Sequence, residues 1–85
     1  MNKHIIAMVH PFVVEQEVSV YDNGECVKTI NCTLDNIENA ILSLVNQYDV
    51  KQIDLAGNQI YNLKIRDNIN TNTNFNKNEL NITIH

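Results

Sequence analysis

Residues 33–58, TLDNIENAILSLVNQYDVKQIDLAGN, hold a helix, a short connection, a strand and a glycine turn, and the rest of the chain is arranged around them. Apolar residues fall at Leu34, Ile37, Ala40, Ile41, Leu44, Val45 and Tyr48. That three-and-four spacing places them on one face of a helix. Thr33 stands where an N-cap hydroxyl would accept from a free first-turn amide, and Asp35 follows where a negative charge suits the helix dipole. After Asp49, the run Val50-Lys51-Gln52-Ile53-Asp54-Leu55-Ala56 ends at Gly57. So short a gap fits a helix packed back on its own sheet.

The remaining elements follow from the same rules. Ile5-Ile6-Ala7-Met8-Val9 is a continuous apolar run, which predicts a central strand covered on both faces. Pro11 cannot donate to a ladder and ends it or makes it an edge, and Phe12-Val13-Val14 forms a second small apolar cluster. Val18-Ser19-Val20-Tyr21 alternates up to Asn23-Gly24, and a second alternating run continues to Cys32; this predicts a β-hairpin. Two registers are open, Val20 opposite Val27 or Val20 opposite Cys26. The second is preferred because it aligns Val18 and Val20 with Cys26, Ile30 and Cys32 on one face.

Beyond Gly57, residues 58–69 predict a second helix with Ile60 or Tyr61, Leu63 or Ile65, and Ile69 facing the core. The asparagine-rich run over 70–78 predicts a loop, and Leu80, Ile82 and Ile84 alternate as a half-buried last strand. The expectation is an α/β (α+β) domain with elements in the order β-β-β-α-β-α-β, a five-stranded mixed sheet and two helices packed on it. Eighty-five residues make a single domain. A chain of this size buries only about 60 to 65 per cent of the surface it exposes when unfolded.

Charge and composition narrow the function. The net charge is -4, and the six cations, Lys3, Lys28, Lys51, Lys64, Arg66 and Lys77, are spread along the chain. Tight binding of nucleic acid or of an anionic membrane needs a basic footprint, so both are disfavoured. His10-Pro11 interrupts the apolar N-terminal run, no cleavage pattern follows, and a cytoplasmic protein is expected. Cys26 and Cys32 lie on one predicted strand, on the same face and roughly 20 Å apart at about 3.3 Å per residue, too far for a disulfide. Fifteen asparagines and eleven isoleucines favour AT-rich codons, which points to an AT-rich bacterial or phage genome.

The succession of a first strand (Ile5 to Val9), a hairpin across Asp22-Asn23-Gly24, a long helix, a strand closing on Gly57, a helix and a strand resembles the ribonuclease H-like superfold. It is most similar to the family of the ribosomal small-subunit platform protein with that topology. Catalytic members of the superfold carry an acidic residue on the first strand, where it holds a divalent metal; here residues 5–10 contain no Asp or Glu. Two-metal chemistry needs converging carboxylates, and Asp54 on the fourth predicted strand has no partner that the sequence names. The ribosomal relatives bind RNA through basic loops and tails, which this acidic chain lacks.

Other constellations are weighed against plainer readings. Gly57 and Asn58, at a strand-to-helix turn, are candidate anion-binding residues through free amides, although a tight turn alone explains the glycine. His4, His10, His85, Cys26 and Cys32 lack metal-ligand spacing, so no metal and no cofactor are expected. The polar face of the first helix, with Asp35, Glu38, Asn39, Asn46 and Asp49, is a candidate partner-binding surface, and a solvated face is the plain alternative. The expected function is therefore not enzymatic: a small acidic protein-binding module, encoded by a phage or mobile element, that inhibits a host nucleic-acid enzyme or defence complex in the host cytoplasm. The alternatives are a structural homo-oligomer joined through an edge strand or the hairpin, and a degenerate ribonuclease H-like domain that retains nucleotide or metal binding.

Overall fold

Side-chain alternation decides which side of the sheet is covered. Ile5, Ala7 and Val9 are fully buried, while Ile6 and Met8 between them are 38% and 45% exposed. The first strand is therefore covered on one face only, which corrects the two-faced burial expected from its apolar run. An unbroken apolar run is compatible with either arrangement, because strand geometry sends alternate side chains to opposite faces whatever covers them.

The computed structural model describes residues 3–71 and 80–85. Its elements are β1 (Lys3–Val9), β2 (Glu15–Asp22), β3 (Glu25–Thr33), a 3-10 turn (Leu34–Asn36), α1 (Ile37–Tyr48), β4 (Val50–Gly57), α2 (Gln59–Asn70) and β5 (Asn81–Ile84). The class is α+β, a five-stranded mixed sheet with two α-helices. The order in the sheet differs from the order along the chain: β3-β2-β1-β4-β5, with β1 in the centre. The β1–β2 and β2–β3 pairs are antiparallel, and β1–β4 and β4–β5 are parallel. Asn70 closes α2; beyond Thr71, the run expected as a loop lies outside the described residues.

Both helices serve one core. Ile37, Ile41, Leu44 and Val45 of α1 and Ile65 and Ile69 of α2 join Ile5, Ala7, Val9, Val18, Val20, Val50, Ile53 and Leu55 of the sheet in a single buried cluster. Thr33 does not cap α1, because the chain first makes the 3-10 turn; its hydroxyl accepts from Asn36 Nδ2 at 3.1 Å. On α2, Ile60, Tyr61 and Leu63 are exposed, and the buried stripe is Asn62, Ile65 and Ile69. Of the residue pairs left open in sequence, Ile65 faces the core and Leu63 does not, while neither Ile60 nor Tyr61 does. Asn62 takes that place, donating from Nδ2 to the Ala56 carbonyl at 2.9 Å and tying α2 to β4. Asn58 caps α2, its side chain accepting from the Tyr61 amide at 3.1 Å.

The hairpin has the two-residue turn of the first register and not the three-residue turn of the preferred one, but Val20 meets neither expected partner. Asn23 and Gly24 both have positive φ, 56° and 80°, and make a two-residue turn between the paired Asp22 and Glu25. A bulge then shifts the ladder, so that Tyr21 faces Cys26 while Val20 faces Lys28, with Val27 as the extra residue. The bulge sends the cysteines to opposite faces. Cys26 lies with Tyr21 on the bare face, within 3.2 Å of the Thr29 hydroxyl, whereas Cys32 packs against the core. Both are free thiols.

Candidate functional site

Strand direction gathers three connections at one end of the sheet. Val9 and Gly57 are paired at the ends of parallel β1 and β4, and Glu15 at the start of β2 is paired with Thr33 at the end of β3. The loop over residues 10–14, the 3-10 turn with the first residues of α1, and the Gly57-Asn58 turn into α2 therefore share this end.

The loop 10–14 is built on a β-turn. Pro11 sits at its second position, where a fixed φ favours the turn, and the Val13 amide donates to the His10 carbonyl at 3.2 Å. A buried glutamine fastens it. Gln16 is 1% exposed; its Oε1 accepts from the His10 amide at 2.8 Å, and its Nε2 donates to the carbonyls of His10 at 2.8 Å and Val13 at 2.7 Å. The tip so held is apolar and open: Phe12 is 99% exposed and Val14 82%. Covering a phenylalanine contributes about 1.5–3 kcal/mol, and the isolated chain leaves that unrealised.

Two grooves open at this end, one of them against the loop. One, of about 420 Å³, is lined by Pro11, Phe12, Val13, Val14, Thr33, Leu34 and Asp35. The other, of about 260 Å³, lies between α1 and α2 and is lined by Leu34, Asp35, Ile37, Glu38, Tyr61, Lys64 and Ile65. Leu34 and Asp35 belong to both, so the two adjoin over the 3-10 turn. Among the described residues no ion pair engages Asp35 or Glu38. Glu38 accepts instead from Asn68 Nδ2 at 2.7 Å across the helix pair.

The residues singled out in sequence on α1 do not form one patch. Asp35 lies beside the loop, and Glu38 lies one step further, between the two helices. Asn39 and Asn46 are exposed further along α1, and Asp49 stands past its other end, after 12 residues that rise about 18 Å. Asp49 has a structural task as well: it ends α1 in the left-handed region at φ 54° and pairs with Lys51 at 3.2 Å. At the second candidate, Gly57 has φ +92°, and a Cβ there would lie 2.3 Å from the Val9 carbonyl oxygen. The Asn58 amide donates to that same carbonyl at 3.0 Å. The donors that this turn would turn towards an anion are thus partly spent within the chain.

The bare sheet face carries groups that sequence reasoning did not bring together. His4 stacks on Tyr21, with ring centroids 5.4 Å apart. Asp54 Oδ1 meets Gln52 Nε2 and His85 Nε2, each at 3.1 Å, and Gln52 Nε2 also reaches the Thr83 hydroxyl at 2.9 Å. Strand alternation in β4 and β5 placed these side chains on one face, but strand order was needed to make them neighbours. Gln16 and Phe12 were missed for a different reason. Polarity argues that a glutamine is exposed and a phenylalanine buried, and here each is reversed.

Comparison with protein-family models, with curated proteins and with solved structures finds no match for the chain. Among the described residues no helix is long and apolar enough to cross a membrane.

Proposed function

We propose that the chain is a non-enzymatic protein-binding module that docks through the end of the sheet bearing the loop 10–14, with Phe12 and Val14 as apolar contacts, Asp35 beside them and Glu38 in the adjoining groove between the helices. The observation that carries this reading is the 99% exposure of Phe12 on a loop held in one shape by a buried glutamine. An aromatic side chain on a pre-ordered loop enters a partner's pocket with little further loss of freedom, which is how interface hot spots gain affinity. A host nucleic-acid enzyme or defence complex is the concrete partner class we propose, since such proteins present basic surfaces that suit Asp35 and Glu38; a phage or mobile-element origin belongs to the same proposal.

Kinship with the ribonuclease H-like superfold is also a proposal, supported by an antiparallel three-stranded part followed by two parallel strands, each entered from a helix. It extends to the fold alone, because β1 carries no Asp or Glu. Self-assembly through an edge has less support. On β3 the bulge at Val27 and the charge of Lys28 are devices that discourage edge pairing, and β5 has only four residues.

The test is comparative capture from lysate of the source cells, using the wild type and the variants Phe12→Ser, Asp35→Lys with Glu38→Lys, and Asn46→Lys. A stoichiometric protein lost with the first two and kept with the third is expected. Retention by Phe12→Ser together with loss in Asn46→Lys would move the docking surface to the middle of α1 and overturn this reading.

A further inference from the structure

We propose that the furrow formed by the two adjoining grooves receives an extended segment of a partner chain in which apolar and basic side chains alternate. The inference rests on the docking reading above and adds the chemistry of what is bound. Phe12, Val13 and Val14 form one apolar wall and Leu34 lies at the junction; between the helices the lining is mostly polar, with the half-exposed Tyr61 as its main apolar surface. Asp35 borders both grooves and Glu38 the second, against a single lysine, Lys64.

An extended chain sends alternate side chains to opposite sides. One set fits the apolar lining while the other reaches the carboxylates at the rim. The two grooves meet over the 3-10 turn at Leu34 and Asp35, so an occupant of both must bend there, which an extended chain does by local backbone rotation and a straight helix does not. The charge argues against the other occupants. A second copy docking by the same end would set Asp35 and Glu38 against their own counterparts, and an anionic lipid surface or nucleic acid would meet the same repulsion.

The probe is a synthetic peptide alternating leucine and arginine, titrated into the isotopically labelled full chain and followed by amide chemical shifts. Saturable shifts confined to Phe12, Val14, Leu34, Asp35, Tyr61 and their neighbours are expected, weakening as salt is raised. A leucine–glutamate peptide and a serine–arginine peptide are each expected to bind on the order of tenfold more weakly. Asp35→Asn, at an exposed site, with Glu38→Gln, half-buried but still able to accept from Asn68 Nδ2, removes both charges, leaves the core intact and lowers affinity about fivefold. Absence of localised shifts, equal binding of either control peptide, or full affinity in the double variant overturns the assignment. If the titration is silent but capture from lysate is still lost with Phe12→Ser, docking stands and only the furrow's occupant is wrong. If both fail, so does the docking reading.

Discussion

Replacing Gln16 with methionine keeps the length of the side chain and removes all three of its hydrogen bonds to the loop. At about 1 kcal/mol net for each bond the loss is about 3 kcal/mol, and the His10 amide is left without its acceptor. A buried thioether in place of an amide returns about 1 kcal/mol. The expected net change is a loss of about 2 kcal/mol, a large fraction of the total for a domain with a stability of about 0.1 kcal/mol per residue. With a urea dependence of about 1 kcal/mol per molar, the midpoint falls by about 1.5–2 M. Amide exchange supplies the local check: the His10 amide should lose protection under native conditions, while amides in the centre of β1 follow only the global change. A midpoint within about 0.3 M of wild type, or a His10 amide that stays protected, would refute the view that Gln16 holds the loop.

Four further outcomes follow from the same structure. Gln16→Glu places a carboxylate against the carbonyls of His10 and Val13, so its folded pKa rises above the unfolded value of about 4.3. Relative to wild type, its deficit grows as pH rises from the unfolded towards the folded pKa and shrinks on acidification, as paired urea curves at several pH values will show. Gly57→Ala combines positive φ with a Cβ 2.3 Å from the Val9 carbonyl oxygen, so a loss above about 3 kcal/mol or failure to fold is expected in thermal unfolding. Phe12→Ser leaves the unfolding free energy within about 0.5 kcal/mol of wild type in a urea titration, since Phe12 touches almost nothing. Burial pushes the Cys32 thiol up, whereas Cys26 is exposed, so a thiol reagent should modify Cys26 on the order of tenfold faster, read from Cys26→Ser and Cys32→Ser.

The parts legible in sequence are those set by local rules. The spacing from Ile37 to Tyr48 marks α1, Gly57 closes β4, Asn23-Gly24 turns the hairpin, and Asn58 opens α2. What escaped depends on neighbours distant along the chain. The run Ile5 to Val9 cannot say whether a second layer exists to cover Ile6 and Met8. The bulge at Val27 is a property of how β3 lies on β2, and one inserted residue there moved Cys26 to the opposite face. On α2 the buried stripe runs through Asn62 because the Ala56 carbonyl at the end of β4 needs a donor. The candidate site shows the same division: Asp35 and Glu38 were visible as charges near the start of a helix, but the loop beside Asp35 became visible only once Gln16 was seen to be buried.

The fastening of that loop also bears on how such a protein changes over generations. All three bonds made by Gln16 go to backbone atoms of His10 and Val13, and none involves the side chain of Phe12, Val13 or Val14. The shape of the turn is thus uncoupled from the identity of its tip. Substitutions at Phe12 or Val14 can accumulate at little cost to folding, while Gln16 and Pro11 are held by the scaffold. Such a segment can drift to follow a changing target, and an experimenter can diversify its tip while leaving the rest of the domain as it is.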